Sequence, residues 1–349
     1  MRSPNGLLGR AAFLLLIVLL AAPALFAAEP GNSYTRQNLV SDGGVPAARV
    51  DPDLVNAWGL APSPSGPWWV NAAGSGNSLL YNGHGSKNPL VVAVAGVPTG
   101  IVFNGGSGFV IPDAGAARFL FASADGTISA WSPALATQSV VVVDRSAAGA
   151  AYTGLAIDST TAGTRIYAAD FHNARVDVFD GSFAPVTAAD AFTDPNLPAG
   201  YAPFGIQTLA GSVYVAYALQ DEDGEEEVAG PGLGVVDKYD LSGHLLARVA
   251  KGGALNAPWG MALAPKGFGR FSGSLLIGNF GDGHINVFAP TTFKPKGHLK
   301  DTNGKTIVID GLWGIAFGNG GNAGPVNTLF FAAGPDDEEH GLFGRIDPP

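Results

Sequence analysis

Oxygen-bearing and imidazole side chains gather at particular points along this chain. Asn56, Asn256 and Asp310 stand just ahead of three similar phrases, "AWGLA", "APWGMA" and "GLWGIAF". A second group follows short apolar runs: Asn71, Asp125, Asp170, His172, Asp221, Asn279, Asp282, and then Asp336, Asp337, Glu338, Glu339 and His340 together. Hard oxygen donors drawn from several segments suit Ca²⁺ or another divalent cation, which takes carboxylates, amide oxygens and waters. Asp170, Asn256, Asn279, Asp310 and Asp336 are the candidate ligands, and His172 and His340 the candidate general bases. An ion held this way polarises an ester carbonyl and helps to generate a nucleophilic water. The same residue types have a structural use, because Asp and Asn cap tight turns through their own backbone. The two uses predict different geometries: five side chains converging on one point, or five self-contained turns.

Other chemistries have little support. The chain has no cysteine, which removes thiol nucleophiles, iron–sulfur clusters and Cys-based zinc sites. Neither a G-x-S-x-G elbow nor an H-E-x-x-H helix motif occurs. "GNGGNAG" (318–324) lacks the third glycine of a dinucleotide fingerprint and reads as a loop. "QDEDGEEEVAGPG" (220–232) starts like an EF-hand but lacks its alternating ligands and its closing Glu, so it reads as a mobile, hydrated insertion that could cover a channel.

What must position these residues is a repeat. A glycine preceded by an aromatic or small residue and followed by apolar residues recurs at Gly59, Gly100, Gly154, Gly205, Gly260 and Gly314. The steps are 41, 54, 51, 55 and 54 residues. Each copy is followed by an apolar run ("WWVNA", "FLFAS", "IYAAD", "VYVAY", "LLIGN", "LFFAA"), a polar turn, and an alternating run such as "ARVDVFD" or "HINVFAP". Alternation rich in Val, Ile, Phe and Tyr is the signature of half-buried strands. A fourth run closes several units, at 90–96, 139–145 and 245–251. Four strands repeated six times predict an all-β, six-bladed β-propeller with four-stranded antiparallel blades. The sixth unit stops after three strands, while "SYTRQNLVSD" (33–42) precedes the first without a unit of its own. That stretch is expected to become the outer strand of the last blade and close the ring. The recurring glycine would open the innermost strand, permitting close approach and unusual backbone angles. Trp58, Phe204, Trp259 and Trp313 would pack between blades; alternatively Trp58, Trp259 and Trp313 form a ring of channel-face aromatics stacking on a ligand.

"IYAADFHNARVDVFD" and "LLIGNFGDGHINVFAP" resemble the blade repeat of NHL-type propellers. "DPDLVNAWGLAPSPSGPWWV", "NAPWGMALAPKGFGRFSG", "DGLWGIAFGNG" and "AAGPDDEEHGLFG" resemble an uncharacterised family of exported bacterial propellers, over roughly residues 35–346. That resemblance implies the fold and export, and implies no chemistry. By fold analogy alone, six-bladed lactonases and esterases are the model for a central-ion hydrolase.

The N-terminus bears on location. Arg2 and Arg10 precede an uncharged apolar run from Ala11 to Phe26 that ends in small residues. This is the layout of a secretory signal peptide over 1–28, leaving 29–349 as a single propeller domain, periplasmic or extracellular, with no stable membrane span after cleavage. Without that segment, 29 acidic residues face 17 basic ones (19 less Arg2 and Arg10). An acidic surface with no Lys/Arg cluster argues against nucleic acid as a partner. Two functional readings remain. One is a binding or interaction module taking a small molecule, glycan or protein on the loop face. The other is a divalent-metal-dependent, lactonase- or esterase-like hydrolase at the channel mouth.

Overall fold

The apolar runs form strands where the alternation places them, and six small antiparallel sheets stand around one axis. The computed structural model describes Met1 and residues 31–160, 163–186, 188 and 190–349. The expected signal peptide, Met1 apart, lies outside the described residues.

Blade 1 runs outward through Ala57–Pro62, Trp68–Ala72, Asn77–Tyr81 and Lys87–Ala93. Blade 2 uses Pro98–Phe103, Phe119–Ser123, Thr127–Trp131 and Val140–Asp144. Blade 3 has Tyr152–Thr160, Gly163–Asp170 and Arg175–Asp180, and its outer edge is touched only by a bridge between Phe179 and Pro185 among the described residues. Blade 4 has Tyr201–Leu209, Ser212–Gln220, Val235–Tyr239 and Leu245–Lys251. Blade 5 has Pro258–Leu263, Leu275–Asn279, Ile285–Phe288 and Pro295–His298. Blade 6 has Leu312–Phe317, Leu329–Ala333 and Leu342–Asp347, and its fourth strand is Thr35–Ser41, antiparallel to Leu342–Asp347. The ring is therefore closed by the N-terminal segment, as the unclaimed stretch at 33–42 predicts. A short strand, Arg49–Val50, adds in parallel beyond it.

The six glycines of the repeat all lie in innermost strands, and each faces the backbone of the next blade. A methyl group on Gly59 would meet the carbonyl oxygen of Thr99, on Gly100 the amide of Leu155, and on Gly154 the amide of Ile206. On Gly205 it would meet Trp259, on Gly260 Trp313, and on Gly314 Trp58. The sequence thus carries one close contact per blade junction, including the junction from blade 6 back to blade 1. None of the six has a positive φ. Space at the axis, rather than unusual backbone angles, is what requires glycine.

Between blades, inward-facing side chains form the apolar clusters that hold the ring. One joins blades 5 and 6 and takes in Tyr34 of the N-terminal segment, whose hydroxyl donates to the Phe268 carbonyl at 2.9 Å. Another joins blades 6 and 1 and takes in Leu39 and Val40 of the closing strand.

A polar latch lies beside the closing strand. His340 Nδ1 stands 2.9 Å from an Asp42 carboxylate oxygen. The Asp42 contact raises the His340 imidazole above its ordinary value. Burial pushes the Asp42 carboxyl up, but the Gly44 and Gly341 N–H groups and His340 outweigh it and hold the carboxyl low. The contribution of His340 is complete below its unfolded value of about 6.5 and is lost as pH rises through the higher folded value. That of Asp42 is present above about 3.9 and is lost as pH falls through the lower folded value. The latch is accordingly tightest between about pH 4 and 6.5. Hydrogen exchange of the amides in 35–41, corrected for intrinsic rate, is expected to quicken from about pH 6 to pH 8.5 relative to the other blades, and Asp42→Asn is expected to remove that difference.

Candidate functional site

The loop face of the propeller is built by two sets of residues. The first stands just before the repeat glycine: Trp58, Phe204, Trp259 and Trp313. The second follows the end of the second strand in five blades, at Ala73, Ala124, Phe171, Phe280 and Gly334, and in blade 4 is Ala218, inside the longer strand Ser212–Gln220. Two of these six are large, and both are Phe. The two sets meet on the axis. Trp313 stacks on Trp58 with ring centroids 3.7 Å apart and on Phe280 at 4.1 Å. Phe204 lies 5.4 Å from Trp313 and 5.3 Å from Phe171, and Trp259 stands edge-on to Trp313 at 5.8 Å. Trp313 is fully buried, and its indole N–H donates to Asn56 Oδ1 at 3.1 Å. The Trp259 N–H reaches across to the Thr153 carbonyl of blade 3 at 3.1 Å. The aromatics do not wedge between pairs of blades; they pile on one another and plug the channel. Among the innermost strands lies a void of about 30 Å³, lined by Gly59, Gly100 and Gly314 and their neighbours.

Above the plug opens a cavity of about 1170 Å³. Trp58, Phe171, Phe204 and Phe280 contribute its aromatic surface, with Ala73, Ala124, Ala150 and Thr153 among the smaller lining residues. Five carboxylates also line it: Glu225, Glu226 and Glu227 from the blade 4 insertion, and Asp337 and Glu338 from the blade 6 loop. His172 joins them from blade 3. The insertion is not loose. Glu227–Val228 pairs antiparallel with Leu219 and Gln220, and His172 Nδ1 lies 3.2 Å from the Gly224 carbonyl. Asp221 Oδ1 accepts from the Glu225 and Glu226 amides. Burial, reinforced by repulsion from Glu338, Glu226 and Asp221, pushes the Glu227 carboxyl up to about 8. Burial also raises Glu338, helped by Glu226 and Asp337 and opposed by a hydrogen bond from the Asn56 amide. Asp336, Asp337 and Glu338 hold this loop in left-handed backbone, with φ of 58°, 49° and 67°.

Of the five residues considered as metal ligands, Asp310 and Asp336 are direct neighbours, and each of the five has local contacts of its own. Asp170 is fully buried and accepts from the Ala151 amide at 3.1 Å and the Asn173 side-chain amide at 2.9 Å, with Arg175 at 3.2 Å. Asn279 donates to the Ala254 carbonyl at 2.8 Å and to Asp282 at 3.0 Å; its own buried amide oxygen has no partner. Asn256 Oδ1 accepts from the Gly230 amide at 2.6 Å, and Asp310 from the Asp336 amide at 3.0 Å. The Asp336 carboxylate is exposed, 4.0 Å from His340 Nε2. Phe171 and Phe280, the first turn residues after the strands that end in Asp170 and Asn279, join the aromatic cluster, while Asp170 and Asn279 bond to the neighbouring entry loops. Among the described residues no three His, Cys, Asp or Glu side chains form a group able to hold a metal ion. Of the two histidines, His172 lines the cavity and His340 pairs with Asp42 outside its lining.

Sequence reasoning passed over Phe171, Phe280 and the Glu225–Glu227 run as functional residues. The two Phe residues had a signal, since both directly follow the last residue of the second strand, in "AADF" and "IGNF".

No protein-family model matches the chain. Among solved structures, a virginiamycin B lyase from Staphylococcus aureus with quinupristin superposes with a TM-score of 0.54 over 91% of this chain and 99% of that one, at 12% identity. That likeness shows the fold alone. The relatives by sequence include two proteins of Acanthamoeba polyphaga mimivirus, so the bacterial family expected from the sequence is not supported. Uncharacterized protein R648 is 31% identical over 325 residues, 88% of this chain and 78% of its own length. Uncharacterized protein L690 is 31% identical over 326 residues, 88% of this chain and 84% of its own length. Identity sustained over that span of a six-bladed propeller places the chain in one family with these two mimivirus proteins.

Proposed function

We propose that this chain is an exported binding module that takes a small-molecule ligand in the cavity on its loop face. The observation supporting this reading is the cavity itself: about 1170 Å³, floored by aromatic rings and shut beneath by the Trp58–Trp313 stack. Ligand sites of this size are concave, largely apolar and carry a few placed polar groups. Export rests on the N-terminal sequence pattern. The metal-dependent hydrolase is the weaker reading, because Asp170, Asn256, Asn279 and Asp310 are already engaged by neighbouring loops. A divalent ion at this face would have to rely on Glu225–Glu227, Asp337 and Glu338 instead.

Trp58 makes the test direct. Mature protein is screened with anionic, neutral (sugars included) and cationic small molecules, and separately with Ca²⁺ after chelation, reading tryptophan emission and thermal melting. At least one organic class is expected to shift the emission and raise Tm by mass action. Trp58→Phe is expected to abolish most of the emission change. If no organic class moves either readout, the binding reading fails. If Ca²⁺ alone raises Tm, the metal site becomes the better account.

A further inference from the structure

The cavity joins two features that seldom share a site without a purpose. Its floor is aromatic, and its rim carries five carboxylates with no Lys or Arg among the described residues that line it. Like charges gathered in this way oppose folding unless something neutralises them. Elsewhere the chain does pair its acids: Asp51 with Lys87 at 2.8 Å, and Asp177 with Arg175 at 2.9 Å. A third feature is independent of charge. Trp58 is 8% exposed and forms part of the floor, yet its indole N–H has no hydrogen-bond partner. Trp313, stacked on it, has its own N–H satisfied by Asn56.

Resting on the binding reading above, we propose that the ligand is an organic cation, an alkylammonium or quaternary ammonium compound that also carries an oxygen acceptor. The half-buried Phe280 ring, with the exposed part of Trp58, attracts the cationic head through its quadrupole. Glu227 from the blade 4 insertion and Glu338 from the blade 6 loop supply the counter-charge. The Trp58 N–H is itself buried, so an acceptor oxygen on the ligand would reach it only if the indole turned toward the cavity. A bare divalent ion fits less well, since it gains nothing from the aromatic floor.

The charge state of the wall adds a second readout. Glu227 faces Asp221, Glu225 and Glu226 on its own insertion, Asp337 and Glu338 on the blade 6 loop, and His172 from blade 3. With its carboxyl held at about 8, Glu227 is largely protonated at neutral pH. A bound cation favours the carboxylate, so binding should expel a proton.

The experiment compares choline with dimethylbutanol, its neutral carbon isostere, by calorimetry and tryptophan emission near pH 7.5. Choline is expected to bind with proton release, seen as a heat that depends on the buffer's ionisation enthalpy. Dimethylbutanol should bind at least about tenfold more weakly. Glu227→Gln with Glu338→Gln should weaken choline by about tenfold and abolish the proton release. Phe280→Leu, a milder change that preserves the fold, should weaken choline severalfold. The inference is overturned if the isostere binds as well as choline, if the Gln variants bind choline normally, or if only Ca²⁺ binds. A neutral or anionic compound that moves Trp58 while choline does not would overturn the cation alone and leave the binding reading standing.

Discussion

A chain lacking residues 31–42 is expected to lose its cooperative thermal transition and to associate in solution. Those residues include Thr35–Ser41, the outer strand of blade 6, which pairs with Leu342–Asp347 over nearly its whole length. Without it that strand presents a row of open N–H and C=O groups, a template for intermolecular pairing. Tyr34, Leu39 and Val40 are each at most 5% exposed, and burial of such side chains stabilises by about 1.5–3 kcal/mol apiece. Deletion also removes the partner of Arg49–Val50 and the Asp42–His340 latch. Melting followed by circular dichroism, with size-exclusion chromatography, decides the matter. A monomer melting within a few degrees of the full chain would mean that the ring holds without its clasp.

The second large effect concerns the axis. Gly260→Val is expected to destabilise the protein by more than about 3 kcal/mol, because the clash is with backbone and cannot be relieved by a rotamer change. A Cβ on Gly260 would stand 2.5 Å from the Trp313 carbonyl oxygen and 3.0 Å from the Ile315 amide nitrogen. Relief requires the innermost strands of blades 5 and 6 to separate, and their contact is one link of a closed ring. Gly211, in the tight turn between Leu209 and Ser212, is the control. Nothing lies within 4 Å of a Cβ there, so its substitution should cost only backbone strain at φ 73°. Urea denaturation of the two variants should separate them widely. Equal midpoints would remove the close-approach explanation of the repeat.

Most of the fold was legible because its signals are local. The Gly-apolar phrase, the second-strand runs and the third-strand alternation each sit within about ten residues, and the ring follows from counting them. Outer strands were less legible. Blade 1's fourth strand was expected at 90–96 and lies at 87–93, where the register shifts between Leu79 and Tyr81. Pro295–His298 was not foreseen, since an exposed outer strand need not alternate. The site was hardest to read, because it depends on which side of a strand end faces the axis. Asp170 and Asn279 drew notice for their ligand chemistry, while the turn residues directly after them, Phe171 and Phe280, are the ones that join the aromatic cluster. The Glu225–Glu227 run looked like a hydrated excursion, and only its pairing with Leu219 and Gln220 turns it into a wall.

The stacked rings on the axis also determine traffic. A propeller with an open bore is a conduit, and a molecule can leave by the side opposite its entrance. Here Trp58, Trp313 and Phe280 make a blind vessel, so whatever occupies it must come and go by one mouth. Residence time then depends on the parts that form that mouth, the blade 4 insertion and the blade 6 loop. Neither contributes a repeat glycine contact between blades, so retention could change in evolution without disturbing the six junctions that hold the molecule together.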